Sequence, residues 1–445
     1  MSWKRAGLVR PSASWISGPI PTCSGQRRPY LADNLIVGLD IGTHKTSAVI
    51  GEYNDAGVLE ITGVGQAPST GLRKGVVVNI EATLQSVAKA VEAAELMSGR
   101  EVRECFVGVA GANVEGINSR GVVAVAGRGR EICQDDVDRV IEAARAVVIP
   151  MDREVLHVIP QTFIVDDQRG IRNPLDMIGV RLEAEVHIIT GSVTSAQNLV
   201  RCVNRAGFKA SGLILQSLAA SRAVLTSDEK DLGCLLVDLG GGTTDVLLYS
   251  DGAPYYSASV GVGGSQVTND LSIILNVPMD AAERIKRESG SCWVPDVDEG
   301  EYVVVPGVGG RAPQEIPLAR VASVMQPRME EIFRLVRERI EQVGHWRLIK
   351  GGAVLTGGGA LMPGAAELAS EVFGVPVRTG APSSLGGMVE EYRSPAYSTA
   401  VGLVLLGAER LGPMAAEQKA RGSDKSRSQG QGLGERIKEW FKEFF

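Results

Sequence analysis

The chain has no apolar run long enough to cross a bilayer, no CxxC cysteine pair and no excess of basic residues. A membrane-spanning helix needs about 20 consecutive, mostly apolar residues, and the best candidate, 396–408, is short and interrupted by Ser and Thr. The formal net charge of −6 argues against a nucleic-acid-binding surface, because such a surface needs an excess of Lys and Arg. We therefore expect a protein that neither spans a membrane nor binds nucleic acid.

Cysteine and histidine are too few and too scattered to form a zinc site or a disulfide framework. The six cysteines lie far apart, and none of the four histidines stands at metal-ligand spacing from them. Such a pattern is typical of reduced thiols in the cytoplasm. Residues 1–33 carry five basic residues but lack the continuous apolar centre of a secretory signal. We expect a disordered N-terminal arm there, either functional or added by an upstream start.

Glycine is abundant, at 54 of 445 residues, about 12% against an ordinary ~7%. Two glycine turns interrupt apolar segments, LIVGLDIGTHKTSAVI at 35–50 and LLVDLGGGTTDVLLY at 235–249, and each segment predicts a β-hairpin. Aligning Asp40 with Asp238 (238 − 40 = 198) also aligns Gly42 with Gly240 and Thr46 with Thr244. A repeat of that length is too long for a solenoid, so we predict two duplicated α/β lobes.

The two hairpins and a third glycine motif predict a polyphosphate site. Each hairpin places an Asp before glycines whose backbone amides can approach phosphate oxygens. Threonine hydroxyls and Lys45 can add donors and positive charge, and Asp40 and Asp238 can hold Mg²⁺ through water. The third motif, 355–364, supplies a strand-to-helix turn for a nucleoside. The predicted ligands are Asp40, Gly42, Thr43, Lys45, Thr46, Asp238, Gly240, Gly241, Gly242, Thr243, Thr244, Gly357, Gly358 and Gly359.

Other segments complete the expected layout. Apolar residues at helical spacing, after an Asp-rich start, predict an amphipathic helix at 135–147. Alternating segments follow it, so we predict an insertion of βαββ type at 110–187. Further helices are expected at 279–287, at 327–344 and from about Pro363, with strands at 301–305 and 353–356.

The three motifs DIGTHKT, VDLGGGTTD and VLTGGGALMPG together resemble the phosphate-1, phosphate-2 and adenosine motifs of the actin, sugar-kinase and heat-shock-chaperone superfamily. Segments 213–225 and 394–407 stand where that superfamily has its two inter-lobe connecting helices. Within the superfamily the chain is most similar to the FtsA family of bacterial cell-division proteins. Stretches such as GLRKGVVVNIEAT and AERIK support this, and the resemblance covers about 34–411 and the last dozen residues.

The resemblance implies an α/β, actin-like (ribonuclease H-like) fold of two duplicated lobes, with an inserted subdomain and a C-terminal amphipathic helix. It also implies ATP and Mg²⁺ as ligands, and adenosine contacts from Glu283 and Lys286 of AERIK, which could otherwise form a surface ion pair. The expected segments are the N-terminal arm at 1–33, first-lobe core at 34–109, inserted subdomain at 110–187, first lobe continued with its connecting helix at 188–225, second-lobe core at 226–269, a subdomain that receives the C-terminal tail of the tubulin-like FtsZ at 270–345, second-lobe core continued at 346–393, second connecting helix at 394–411, flexible linker at 412–432 and membrane-targeting helix at 433–445.

Only Gln216 stands near the expected place of a catalytic group on the first connection, and no carboxylate accompanies it. Hydrolysis needs a group that orients or deprotonates water. Glutamine can orient water but is a poor base. We therefore predict ATP binding with slow or negligible turnover.

The last segment, GLGERIKEWFKEFF, predicts an amphipathic helix that binds a lipid surface. Its apolar residues fall within an arc of about 140° at ~100° per residue, and its charged residues lie outside that arc. The alternative is a helix docked on the protein's own core or on a partner. The apolar residues are Leu433, Ile437, Trp440, Phe441, Phe444 and Phe445.

The function implied by this resemblance is that of a cell-division scaffold. Such a protein polymerises on the cytoplasmic face of the cell membrane at the division site, tethers FtsZ filaments there and helps recruit later division proteins. The alternatives are an actin-fold protein of the pilus-assembly or cell-shape type and, on the same fold, a small-molecule kinase or a chaperone ATPase.

Overall fold

The computed structural model describes residues 35–111, 114–126, 131–298, 300–305, 312–382, 385–387 and 389–423, with side chains as far as residue 411. The predicted N-terminal arm, the last nine residues of the predicted linker and the predicted membrane-targeting helix lie outside these ranges. Gln26–Gly407 forms one compact unit, and the architecture below belongs to it. The second unit comprises Met1–Gly25 and Ala408–Phe445, and its described part is a continuation of one helix.

The first lobe is built on a five-stranded sheet in the order β11-β6-β1-β2-β3. Its strands are β1 (Leu35–Ile41), β2 (Lys45–Tyr53), β3 (Leu59–Pro68), β6 (Glu104–Val109) and β11 (Lys209–Leu215), and the short pair β4 (Leu72–Arg73) and β5 (Val76–Val77) stands apart. Its helices are α1 (Ile80–Ser98), α3 (Val193–Arg205) and α4 (Gln216–Val224), and the short α5 (Ser227–Leu232) that follows α4 packs on the second lobe. The Asn79 side chain caps α1 at its start, and Gly99 ends it in the left-handed conformation with φ 69°.

A separate subdomain is inserted between β6 and α3. It contains β7 (Glu115–Ala124), α2 (Gln134–Arg145), β8 (Arg153–Val165), β9 (Gln168–Ile171) and β10 (Arg181–Ser192). The strands form an antiparallel sheet in the order β7-β10-β8-β9. The apolar face of α2, including Val137 and Val140, packs on this sheet in a core of its own. The amphipathic helix predicted from this spacing is confirmed.

The second lobe repeats the design of the first. Its five-stranded sheet has the order β14-β13-β12-β17-β18. The strands are β12 (Leu235–Leu239), β13 (Thr244–Ser250), β14 (Ala253–Val260), β17 (Ala353–Thr356) and β18 (Val377–Thr379), with a further hairpin of β15 (Tyr302–Val305) and β16 (Gln314–Pro317). The helices are α6 (Gly264–Ile274), α7 (Met279–Glu288), α8 (Leu318–Gln342) and α9 (Ala365–Phe373). The actin-like α/β fold of two duplicated lobes is confirmed.

Two predicted helix starts were wrong. The first connecting helix begins at Gln216 rather than at residue 213, because Leu213 and Leu215 belong to β11 and pair with β6. Helix α8 begins at Leu318, nine residues before the expected start at Pro327. Its first turns include the buried Val321 and Met325, whose burial outweighs the loss of one backbone hydrogen bond at an internal proline.

The second connecting helix, α10 (Ser398–Ser423), is longer than predicted and extends into the predicted linker. Residues 414–420, MAAEQKA, have high intrinsic helix propensity and continue the helix beyond residue 411. In the first lobe, α10 lies so close to α4 that a Cβ at Gly402 would be 1.8 Å from the Ala219 carbonyl oxygen. Within the described ranges, no helix is both long and apolar enough to cross a bilayer.

Candidate functional site

The two glycine turns, one from each lobe, lie against each other. Each turn is closed by a backbone hydrogen bond, from Gly42 N–H to the Lys45 carbonyl (3.0 Å) and from Gly240 N–H to the Thr243 carbonyl (2.9 Å). A Cβ added at Gly242 would lie 2.6 Å from Thr43 Oγ1. The sequence is therefore restricted to glycine at this point because the opposite turn occupies the space of a side chain.

Backbone amides of the second turn are available to a ligand. In the part of the chain that the structure describes, the N–H groups of Gly241 and Gly242 have no hydrogen-bond acceptor. Successive free amides in a tight turn form a concave site for anions. The carbonyls of Gly240 and Gly241 accept hydrogen bonds from Gly264 and Ser265 at the start of α6, which fixes the turn from behind.

Three aspartates gather around these turns, each held by a neutral donor. Gln216 Nε2 donates to Asp40 Oδ1 at 2.8 Å, Thr399 Oγ1 to Asp238 Oδ2 at 3.0 Å, and Thr243 Oγ1 to Asp245 Oδ2 at 3.0 Å. Asp238 and Asp245 face each other across the β12–β13 pair and are buried. Gln216, predicted from its position on the first connection, therefore contacts the carboxylate that was predicted to face Mg²⁺.

The charges at the site are poorly compensated by the protein alone. Burial raises the pKa of Asp40 to about 6 although Lys45 partly opposes the rise. Burial, with the charges of Asp245 and Asp40, raises the pKa of Asp238 to about 7. Burial also lowers the pKa of Lys45 to about 8, against the opposite effect of Asp40. An added cation would stabilise the ionised carboxylates.

These carboxylates fit a hydrated magnesium ion better than a directly ligated one. Among the described residues, no group of three His, Cys, Asp or Glu side chains is arranged to hold a metal. Mg²⁺ usually keeps several waters and takes only one or two carboxylates together with substrate phosphates. Asp40 and Asp238 match that donor set.

The four predicted threonines differ in what they can offer. Thr43 Oγ1 accepts a hydrogen bond from Gly75 N–H at 3.2 Å and lies at the contact between the turns. Thr243 and Thr244 already donate within the protein, to Asp245 and to the Val262 carbonyl (2.9 Å). Thr46 is fully buried, and its Oγ1 has no partner among the described residues. Thr43 is thus the threonine best placed to meet a ligand.

The third glycine motif adjoins the second turn. Gly357 has φ 81°, and a Cβ there would lie 2.3 Å from Asp238 Oδ1. Gly359 is packed equally tightly, since its Cβ would lie 2.4 Å from Leu239 Cγ. At Gly358, in contrast, no atom lies within 4 Å of an added Cβ. Gly358 therefore borders open space next to the aspartates.

The buried Lys286 and the partly buried Glu283 of α7 form a polar cluster beside the turns. Lys286 Nζ donates to Glu283 Oε2 (2.6 Å), Thr268 Oγ1 (2.9 Å) and the Gly264 carbonyl (3.2 Å). Burial would raise the pKa of Glu283, but the hydrogen bonds from Lys286 and Thr268 outweigh it and hold that pKa below its usual range. Glu283 Oε1 also reaches across to His44 Nε2 of the first turn, at 3.7 Å. Glu283 of the second lobe thus contacts both Lys286 of its own helix and His44 of the first lobe.

Sequence reasoning missed Asp245, Thr399 and Tyr397. Asp245 was visible as the last residue of VDLGGGTTD, because a hairpin closed between Gly240 and Thr243 sets it opposite Asp238. Its counterpart in the first hairpin is Ser47 (245 − 47 = 198). Because the acid is not repeated in the first hairpin, aligning the two hairpins does not indicate Asp245 as a site residue. Thr399 and Tyr397 carry no local signal, since they reach the site only when the second connection returns to it.

Two lobes that each bring a glycine turn and an aspartate to a common site define the actin-like class of proteins. The chain superposes on a chain of the PilM–PilN type IV pilus biogenesis complex with a TM-score of 0.59 and 18% identity, over 84% of this chain and 98% of that one. For MreB 5 of Spiroplasma citri bound to AMPPNP the TM-score is 0.50 with 14% identity, over 88% and 100%. At such identities the likeness shows the fold alone.

Sequence comparison identifies the family. The chain is 48% identical over 418 residues to the cell division protein FtsA of Borreliella burgdorferi, covering 92% of this chain and 100% of that protein. It is 44% identical over 409 residues to FtsA of Pseudomonas aeruginosa, covering 91% and 97%. Family models of the cell division protein FtsA and of the SHS2 domain inserted in FtsA match residues 235–402 and 111–190. The chain belongs to the FtsA family of cell-division proteins, which confirms the resemblance given by its motifs.

Proposed function

We propose that the protein binds Mg·ATP between its two lobes and acts as an actin-like scaffold of cell division on the cytoplasmic face of the cell membrane. The observation that supports this most directly is the convergence of the three glycine motifs. Thr43 meets Gly242 across the turns, and Gly357 lies against Asp238. Free amides, a lysine and under-compensated carboxylates at one place suit a metal-bound polyphosphate.

Each group has a part in this proposal. The amides of Gly241 and Gly242 bind phosphate oxygens, and Lys45 offsets phosphate charge. Asp40 and Asp238 hold the hydrated metal, which neutralises part of the charge of the phosphates. The nucleoside lies by Gly358, near Glu283 and Lys286.

Calorimetric titration with Mg·ATP tests the site. We expect binding by the wild-type protein at millimolar nucleotide or below, and at least about tenfold weaker Mg²⁺-dependent binding by Asp238→Asn, because one carboxylate to the metal shell is lost. Asp280→Asn is the matched control, since Asp280 is exposed at the start of α7. Equal affinities for Asp238→Asn and the control would contradict the assignment.

Turnover is proposed to be slow. Gln216 is the residue of the first connection that contacts Asp40, and its neutral amide can orient water without accepting a proton at physiological pH. The nucleotide then serves to fix lobe closure rather than to drive chemistry. A steady-state ATPase rate comparable to that of a metabolic kinase, about 1 to 100 per second, would refute this.

Membrane attachment is proposed for the C-terminal segment, on its sequence pattern. Each large apolar side chain contributes about 1.5 to 3 kcal/mol if buried in lipid, less the cost of ordering the helix. Trp440→Glu should release the full-length protein from lipid vesicles while ATP binding is kept. Glu439→Gln, on the charged arc, should co-sediment at least as well as wild type. Retention of Trp440→Glu on vesicles would refute the role.

A groove between α6 and α8 is proposed to receive the C-terminal tail of FtsZ. It has a volume of about 280 Å³ and lies within the subdomain where the resemblance places that tail. Ile274, exposed to 53%, supplies an apolar wall. Arg328, paired with Asp270 at 2.5 Å, supplies a charged one. Arg328 also contacts Glu331, so the charges of this wall are already paired within the protein, and the apolar wall is the part that a peptide side chain would match.

Two neighbouring isoleucines allow a matched test of this groove. Ile274 lines it, whereas Ile273, exposed to 68%, does not. In a binding assay with a fluorescent peptide of the FtsZ C-terminal tail, Ile274→Glu should weaken binding by about tenfold, and Ile273→Glu by less than about twofold. Equal effects of the two substitutions would place the peptide elsewhere.

Polymerisation of the protein and recruitment of later division proteins complete the proposed function.

A further inference from the structure

One short segment, Ser394–Thr399, which leads into the start of α10, contacts all three glycine motifs. The Pro395 carbonyl accepts hydrogen bonds from Gly357 N–H (3.2 Å) and Thr356 Oγ1 (3.4 Å) of the third motif. Thr399 donates to Asp238 of the second lobe's turn. Tyr397 lies between Pro395 and Thr399 in the sequence, and Lys45 Nζ of the first lobe's turn lies over the face of its ring, 3.9 Å from the ring centroid. This segment thus joins Lys45 of the first motif to Asp238 of the second and Gly357 of the third.

The contact between Lys45 and Tyr397 leaves the Lys45 ammonium without a direct ion pair or hydrogen bond among the described residues. Among the residues described, Lys45 has no carboxylate within 4.0 Å of Nζ and forms no hydrogen bond through it. A ring face attracts a cation through its quadrupole without accepting its protons in strong hydrogen bonds. The donors of Nζ therefore remain available to an anion.

The ring itself is fixed from two sides. The Tyr397 hydroxyl donates to Gln66 Oε1 on β3 at 2.8 Å. The Tyr392 ring packs edge-on against it, with centroids 5.3 Å apart and an interplanar angle of 86°. A half-buried ring held in this way limits the conformations of the lysine above it. Lysine has a large rotamer entropy that would otherwise be lost on ligand binding.

We propose that Tyr397 is a positioning residue that holds the Lys45 ammonium, without a direct ion pair, beside the two glycine turns, and so sets the affinity for the phosphate part of the nucleotide. The inference rests on the proposed function, because it requires that a nucleotide polyphosphate binds there. Tyr397 acts through Lys45 and does not itself contact the phosphates. The contribution of Tyr397 to binding therefore depends on both the phosphates and the lysine.

The first experiment compares ligands with and without phosphates. Calorimetry with Mg·ATP, and competition by adenosine, are measured for wild type, Tyr397→Phe and Tyr397→Leu. Removing the aromatic face in Tyr397→Leu should weaken Mg·ATP binding by roughly 3- to 10-fold and change adenosine binding by less than about 2-fold. Tyr397→Phe keeps the ring face and should stay within about 2-fold of wild type for both ligands. A second variant without a ring, Tyr397→Met, serves if Tyr397→Leu does not fold.

The second experiment is a double-mutant cycle with Lys45→Met. If Tyr397 acts through the lysine, Tyr397→Leu should have no further effect on Mg·ATP affinity in the Lys45→Met background. Additive losses, or an equal loss of adenosine binding, would overturn the proposal and indicate a general structural role. Failure of wild type to bind Mg·ATP would instead refute the proposed function. The two failures are therefore distinguishable.

Discussion

Single glycines at the site have separable roles, and Gly358 is the clearest. Its Cβ position meets no atom within 4 Å, whereas those of Gly357 and Gly359 are occupied by Asp238 and Leu239. We predict that Gly358→Val keeps the melting temperature within about 2 °C of wild type but weakens Mg·ATP binding at least about tenfold, because the added side chain fills the space proposed for the nucleoside. Calorimetric titration and thermal unfolding check the two halves. Undiminished binding would show that the nucleoside lies elsewhere.

His187 is a second residue whose environment has a measurable consequence. It is buried where the inserted subdomain meets the second lobe, with Nδ1 2.6 Å from Asn118 Oδ1 and Nε2 2.9 Å from Ser257 Oγ. Asn118 Nδ2 donates to the Tyr255 carbonyl, which leaves Oδ1 as the acceptor and places the imidazole proton on Nδ1. Burial lowers the pKa of His187 to about 4. The neutral ring is therefore the form that the folded protein holds.

This lowered pKa predicts a pH dependence of stability. The unfolded chain takes up a proton near pH 6.5 and the folded protein only near pH 4, so the contribution of His187 is complete above pH 6.5 and is lost as the pH falls toward 4. The loss amounts to at most about 3 kcal/mol. Denaturant unfolding at pH 7.5 and 5.0 should show a smaller decrease for His187→Gln, which keeps neutral hydrogen-bonding groups. Identical decreases for the two proteins would contradict the assignment.

Which residues could be predicted from the sequence depended on how local their signal is. The meeting of Asp40, Asp238 and the glycine turns was predictable because a tight turn restricts the residue types in a few consecutive positions. Tyr397 was not, because it meets Lys45 across more than 350 residues of chain (397 − 45 = 352). The occupied hydroxyl of Thr244 was equally hidden, since its acceptor is the carbonyl of Val262 on a neighbouring loop.

Among the glycines that the structure describes, Gly402 at the crossing of α10 and α4 leaves the least room for an added Cβ. A Cβ at Gly402 would lie 1.8 Å from the Ala219 carbonyl oxygen, and backbone atoms can yield only if the helices separate. We predict that Gly402→Ala lowers the free energy of unfolding by about 2 to 4 kcal/mol. Gly358→Ala, whose Cβ meets open space, is the control and should leave stability nearly unchanged. A loss below 1 kcal/mol for Gly402→Ala would show that the helices adjust freely.

The errors in the predicted elements have common physical causes. Proline is a good first residue of a helix, but Pro327 lies inside α8 because Val321, Ala322 and Met325 bury the preceding turns. The strand residues before Gln216 are apolar and helix-compatible, and only their pairing with β6 assigns them to a strand. Tertiary packing determined where both helices begin, and this packing cannot be predicted from local sequence preferences.

At the scale of the whole molecule, the inserted subdomain links the two lobes. It is inserted in the first lobe, between β6 and α3, but it is also hydrogen-bonded to β14 of the second lobe. Gln161 Nε2 donates to the Pro254 carbonyl (2.9 Å), and Asn118 Nδ2 donates to the Tyr255 carbonyl (3.0 Å). Glu283 and His44 approach each other beside the glycine turns. A ligand that closes the turns would thus act on lobes that are joined at two separate places.

Closure by nucleotide, self-assembly and lipid binding are then expected to depend on one another. In the proposed function, a single C-terminal segment would bind a bilayer weakly, and many segments on one polymer would bind strongly because each bound segment raises the effective concentration of the next. We predict that vesicle co-sedimentation of the full-length chain rises more steeply than in simple one-site binding as its concentration increases, and that Mg·ATP shifts the midpoint to at least about threefold lower concentration.

Asp238→Asn provides the control for this last prediction. It leaves the C-terminal segment intact, so residual vesicle binding should persist, but the shift by Mg·ATP should disappear because the nucleotide no longer favours the assembled form. Trp440→Glu should abolish binding with and without nucleotide. A simple hyperbolic isotherm with the same midpoint in the presence and absence of Mg·ATP would separate membrane attachment from assembly, and the nucleotide site would then need another role.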